Sequence, residues 1–219
     1  MKKFVSIFKN KDIVNRIFFT IMILFVLRIG AVITVPGVKV SDELSNIMNS
    51  GNSFALMDLL GGGALANFSV FALGVSPYIT AQIIIQLLSK DVLPALTELS
   101  KQGEYGRKKM EMATRYLTLL LGAVQGYGMI RTMINQGYIS LTLADNFWTY
   151  AYIVTILLAG AMLTMWLGDQ ITQKGFGNGV SILIFVNIVS QLPTTLMSLF
   201  TLKEAGEITI IEIALFLVG

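Results

Sequence analysis

The sequence predicts an all-α membrane protein: five transmembrane helices, a short re-entrant helix between the first and second, and the start of a truncated sixth. Three observations predict it. Of 219 residues, 54% are hydrophobic and only 13% are charged, about half the charged share of a soluble domain. The apolar residues gather in blocks at 17–35, 68–88, 116–134, 147–167 and 180–200, each close to the ~20 residues that a helix needs to cross a bilayer. Finally, FALMDLLGGGALANFSVFALGVSPYITAQIIIQLL, residues 54–88, is apolar yet broken by three consecutive glycines, a Ser-Pro pair, Asn67, Gln82 and Gln86.

Residues 1–16 form a basic cytoplasmic tail in which Phe4, Ile7 and Phe8 stand at helical spacing among lysines, as in a helix lying on a membrane surface. A disordered basic tail that only sets orientation accounts for the same residues. The first block is longer than a signal-peptide core and TVPGV offers no small-residue cleavage site, so it reads as a retained span. Between the first two spans, residues 54–60 are too few to cross and can only dip into the membrane, with Gly61, Gly62 and Gly63 as a hinge. Irregular backbone at that depth is tolerated where it is buried in protein or faces water, so this arrangement implies a cavity. In the second span Pro77 is expected to remove a helix hydrogen bond. Residues 89–115 and 168–179 are expected as cytoplasmic loops, the latter a tight turn in which Gly175, Gly177 and Gly179 supply positive φ and Ser181 helps start the fifth span. The sixth block, ITIIEIALFLVG, covers about 18 Å of a core about 30 Å thick, so residues 201–219 are expected to be an external loop and a span cut short.

Lysine and arginine set the orientation. The tail carries five, residues 89–115 carry six, and Lys174 adds one, against Lys39, Arg131 and Lys203 on the other side. That bias puts the N-terminus and the 89–115 and 168–179 segments in the cytoplasm.

Composition also excludes chemistry. There is no histidine and no cysteine, so imidazole bases, thiolate metal sites and disulfides are absent, and no cofactor or enzymatic activity is expected. No acidic residue stands in the middle of a complete span, which argues against a proton relay or an ion-coupled transporter. The glycines at 175–179 lack the Gly-Lys-Ser/Thr ending of a phosphate-binding loop. Arg28 is the one intramembrane charge, and either a functional role or snorkelling to the interface accounts for it.

Val75 and Ile79 flank Pro77 four residues apart, and Val180 and Ile184 repeat that spacing in the fifth span. Facing one another, the two pairs would make an apolar constriction able to gate by dewetting. Ordinary helix packing accounts for the same spacing. From the residues alone, the chain is a multi-span protein with a re-entrant segment, either a passive pore or a scaffold.

RIGAVITVPGV (28–38), GGGALANFSVFALGVSPYITAQIIIQLL (61–88), KQGEYGRKKMEMATRY (101–116) and MWLGDQITQKGFGNGVSILIF (165–185) together resemble the SecY family of bacterial protein translocase subunits. The resemblance runs from about residue 16 to 192, in order. It implies one inverted-repeat half, residues 17–200, of a ten-span protein-conducting channel that passes unfolded secretory chains and releases hydrophobic segments sideways. On that reading residues 54–67, with Leu56, Leu60 and the three glycines, are similar to the family's plug. Val75, Ile79, Val180 and Ile184 match its pore ring. Gln82 and Gln86 match positions that line or steady the lateral gate, although interhelical hydrogen bonding serves equally well for them. Arg107, Lys108, Lys109 and Lys174 are candidates for cytoplasmic docking, or for a purely topogenic role. The implied partners are SecE- and SecG-like small subunits, a SecA-type motor ATPase or a ribosome, signal peptides, and the lipid of the bacterial cytoplasmic membrane. Other classes compatible with the residues are half of an inverted-repeat secondary transporter and a non-conducting membrane scaffold.

Overall fold

The computed structural model describes residues 11–41, 44, 53–90 and 94–204. The tail helix and the truncated sixth span lie outside the described residues, as does the side chain of Leu56. In chain order the elements are α1 (Lys11–Gly30), β1 (Val38–Val40), α2 (Ser53–Gly61), α3 (Ser76–Leu88), α4 (Pro94–Lys101), α5 (Gly103–Asn135), β2 (Ile139–Leu141), α6 (Phe147–Lys174) and α7 (Gly179–Glu204). Among the described residues, α1, α5 and α6 are long and apolar enough to cross a membrane, while Ser76–Leu88 and Gly179–Pro193 are shorter apolar helices.

A short helix forms where the apolar run 54–60 suggests one, as nine-residue α2. The second block departs from expectation, because residues 62–75 fold as successive turns and the helix begins only at Ser76. Gly62, Gly63, Phe68 and Gly74 all take positive φ, and positive φ at Phe68 has no signature in sequence. Pro77 therefore does not break a span. It sits in the first turn of α3, where its missing N–H costs no helix bond. The irregular segment is buried, with Leu65, Phe68, Ala72, Leu73 and Val75 at most 2% exposed. Its backbone is paired with residues after α1: Val35 N–H donates to the Phe68 carbonyl and Val70 N–H to the Ile33 carbonyl, both at 3.0 Å. Both conditions for irregular backbone inside a membrane protein, burial and internal hydrogen bonding, are thus met.

The segment expected as a loop, 89–115, is largely helical. Gly103, at φ +65°, turns the chain from α4 into α5, and α5 runs unbroken for 33 residues, about 50 Å at 1.5 Å per residue. It outruns the ~30 Å hydrocarbon core by several turns, so the basic residues Arg107, Lys108 and Lys109 ride on a helical extension of the third span.

At the opposite end of α5, β2 pairs antiparallel with β1, Val38 opposite Leu141 and Val40 opposite Ile139. A core of Val35, Leu65, Phe68, Leu73, Ile130, Met133, Ile153 and Leu157 lies at this strand end. A second cluster joins Ile23 and Leu27 of α1, Val75, Leu167 and Ile171 of α6, and Leu183 of α7.

Between α6 and α7, Gly177 alone of the three turn glycines has positive φ. Gly179 is required for a different reason: a Cβ there would stand 1.9 Å from the Gly168 carbonyl oxygen. Nor does Ser181 start α7. Asn178 does so, its Oδ1 accepting the Ser181 N–H at 3.3 Å as an N-cap.

Candidate functional site

Helix α2 has nine residues, too few to be stable alone in water, so its position is set by what holds it. Asp58, 5% exposed, is the hub. One carboxylate oxygen accepts the Leu65 and Ala66 N–H groups, each at 2.9 Å, closing the glycine turn back onto the helix. The other accepts Gln191 Nε2 of α7 at 3.1 Å. One turn earlier on α7, Asn187 Nδ2 donates to the Leu60 carbonyl at 2.9 Å. From α1, the Arg28 guanidinium donates to the Gly62 carbonyl. The last turn of α2 and the hinge glycine after it are thus tied by polar side chains to two different long helices.

The other flank of α2 is apolar and less filled. Met57, Leu60 and Gly61 line a cavity of about 100 Å³ whose far wall includes Leu73, Val75 and Ile79. Of the four proposed ring positions, Val75 is a member of the α1–α6–α7 cluster, and Ile79 and Ile184 pack against it half-buried. Val180, beside Leu183 of that cluster at Gly168, also lines a larger cavity, about 470 Å³, together with Tyr78, Gln82, Gln86, Arg115 and Asp169.

That larger cavity opens at the end carrying the 168–179 turn. Gln82 is half-buried and Gln86 exposed on its wall, and neither side chain is hydrogen-bonded among the described residues. Arg115 pairs with Asp169 at 2.9 Å across α5 and α6. Arg107 lines the same cavity and pairs with Glu111 at 3.3 Å, one turn along; such exposed pairs contribute only about 0.3–0.5 kcal/mol. Lys109 covers the Tyr105 ring at 4.7 Å. Lys108 and Lys174 are exposed, Lys174 in the last turn of α6, where it complements the helix dipole.

Sequence reasoning singles out the glycines, Leu60 and the branched aliphatics but passes over Asp58, Asn187 and Gln191. Their one signal is two amides four residues apart, hence on one face of a largely apolar helix. Arg28, for which sequence allows either function or snorkelling, is engaged with the hinge.

The arrangement defines a class: a polytopic helical membrane protein in which a short helix is seated by polar bonds between long ones, beside an apolar cluster. The SecY family profile matches residues 69–219, and the chain belongs to the SecY family. It is 48% identical over 198 residues to protein translocase subunit SecY of Lactococcus lactis subsp. lactis (strain IL1403), covering 90% of this chain and 44% of that one. To its counterpart in Bacillus subtilis (strain 168) it is 44% identical over 213 residues, covering 95% and 49%. The chain therefore spans slightly under half the length of these relatives. Among solved structures, Sec61 in the canine ribosome-channel complex from the endoplasmic reticulum superposes with a TM-score of 0.59 at 16% identity, over 82% of this chain and 37% of that one. A structure of a protein conducting channel gives the same values. At such identity these two likenesses establish a shared fold.

Proposed function

We propose that the chain supplies the N-terminal, five-span half of a protein-conducting channel, through which unfolded secretory polypeptides cross the membrane and from which hydrophobic segments leave sideways. The observation that carries this reading is the shared cavity of Met57 and Leu60 with Val75 and Ile79. A glycine-hinged helix lying against an apolar constriction is what a plugged pore requires, since an apolar neck excludes water and ions while a movable element blocks the wider space beside it. Family membership supports the same reading.

In this account α2 and its turn, residues 54–67, are the plug, and Val75, Ile79, Val180 and Ile184 contribute half of the ring. Gln82 and Gln86 line the entrance on the gate side. Arg107, Lys108, Lys109 and Lys174 present positive charge to a partner on the cytoplasmic side, where the lysine and arginine bias also places the N-terminus. A SecA-type motor or a ribosome would supply the driving force, and SecE- and SecG-like subunits would brace the halves in a bacterial cytoplasmic membrane.

Replacing Ile79 with Asn places an amide in the neck and lowers the cost of wetting it. In the complete channel reconstituted into lipid, the resting ion leak is expected to rise several-fold, read by electrical conductance. An unchanged leak with normal insertion would count against the pore.

A further inference from the structure

We propose that Asp58, Asn187, Gln191 and Arg28 form a polar latch that fixes the resting seat of α2, with the two amides of α7 as its releasable side. The inference rests on the channel reading for calling α2 a plug; the latch itself is a matter of hydrogen bonds and packing.

The seat of α2 is asymmetric. On its polar flank, α2 is bonded to α7 through Asn187–Leu60 at 2.9 Å and Gln191–Asp58 at 3.1 Å, and its hinge to α1 through Arg28–Gly62. Along Met57, Leu60 and Gly61 it borders the 100 Å³ cavity, where Met57 alone of the three packs against the core around Phe68 and the cavity itself supplies few atoms to hold it by dispersion. Displacement toward the cavity is therefore opposed mainly by the polar bonds. Those bonds act strongly, because Asp58 is buried and a buried polar group that loses its partner is costly to leave unpaired.

The carboxylate divides its work. The oxygen that accepts from Leu65 and Ala66 shapes the turn within the plug, and the oxygen that accepts from Gln191 attaches the plug to α7. Changes on α7 therefore release the element without unfolding it.

The test uses the complete channel in native membranes, with Met57→Cys as reporter; this chain has no other cysteine. The thiol, half-buried on the cavity wall, is labelled with a membrane-impermeant maleimide. Asn187→Leu/Gln191→Leu makes α7 more apolar and so favours its insertion, while it removes the Asn187 bond to Leu60 and both Gln191 bonds to Asp58. Labelling is expected to quicken roughly tenfold, the factor that loss of about one to two net hydrogen bonds represents. Asp58→Asn/Gln191→Glu exchanges donor and acceptor across the 3.1 Å contact, keeps an acceptor for Leu65 and Ala66 and gives up only the longer 3.4 Å bond to the Asp58 carbonyl, so labelling is expected to stay slow beside the leucine variant. An unchanged rate in the leucine variant would overturn the latch. So would fast labelling in the exchanged pair, because that would show the rate follows any change at these sites rather than the bond. Labelling reads the position of α2 whether or not polypeptide passes. The expected labelling pattern in a channel that fails to contact secretory chains would uphold the latch and remove the channel reading alone.

Discussion

Replacing Asp58 with Leu is expected to lower the unfolding temperature of the detergent-solubilised protein by roughly 10 °C. The substitution leaves the Leu65 and Ala66 N–H groups without their acceptor, and leaves Gln191 Nε2 only its 3.4 Å contact to the backbone carbonyl of residue 58. A buried donor left unsatisfied costs about 1–3 kcal/mol, and rearrangement recovers part of the sum, leaving about 3–4 kcal/mol. For a chain of this size each kcal/mol shifts the midpoint by about 2–4 °C. Asp58→Asn is the informative partner, because its amide oxygen still accepts from the turn and a rotated Gln191 amide can accept from its nitrogen. It is expected to lie within about 3 °C of the parent, a loss of no more than one ordinary hydrogen bond. If both substitutions cost the same, the carboxylate would act through charge, and the bonding scheme derived for Asp58 would be wrong.

Gly160→Ala is the second large effect, notable for its sign. In a helix interior alanine is favoured over glycine by about 1 kcal/mol, and Gly160 lies within α6. At this position, however, a Cβ would sit 1.9 Å from the Val70 carbonyl oxygen. That atom belongs to backbone already committed to hydrogen bonds with residues after α1, so it cannot swing away as a side-chain tip would. The irregular segment 62–75 must lift from α6, and overpacking of this kind costs about 1–3 kcal/mol. Gly128 is the control, since it lies in α5 where an added Cβ would meet nothing within 4 Å, and Gly128→Ala is expected to be neutral or slightly stabilising. Thermal melts of the two variants in one detergent are expected to move in opposite directions, with Gly160→Ala lower by roughly 3–10 °C. Because the displaced segment ends at Val75, the same variant is expected to raise the resting ion leak.

How far the fold can be read from sequence follows from the kind of signal each element leaves. Helices α1, α5 and α6 are long apolar runs, and hydropathy finds them because the bilayer demands that length. Hydropathy starts the second span at residue 68 whereas α3 starts at Ser76, because an apolar run says nothing about φ. Phe68 in the left-handed region is sustained by the Val35 N–H that its carbonyl accepts and by the neighbouring Val70–Ile33 bond rather than by its own preference. Likewise the basic segment before residue 116 reads as a loop, since hydropathy marks where the membrane ends and not where a helix does. Charged residues with Arg107 and Glu111 four apart suit an exposed helix well.

At the candidate site, glycine placement marks the irregular turn that follows α2, and the proposed ring positions come from the family resemblance. The latch stays hidden because its two halves are 133 positions apart in the chain, and because a lone amide in an apolar helix is equally at home in ordinary helix packing. In the sequence Asp58 is only the single polar break in a short apolar run. Its role follows from three donors converging on it, which no local pattern encodes.

The measurement that tests the central claim most directly places one cysteine at Val75 and, in a separate chain, one at Leu60. Each is introduced into the complete channel and challenged with a stalled secretory polypeptide carrying its own cysteine. A plugged polypeptide channel predicts a disulfide between the polypeptide and position 75, and loss of contacts between Leu60 and the ring once the polypeptide has entered. Absence of cross-links at both positions, in a protein that inserts and melts normally, would contradict it.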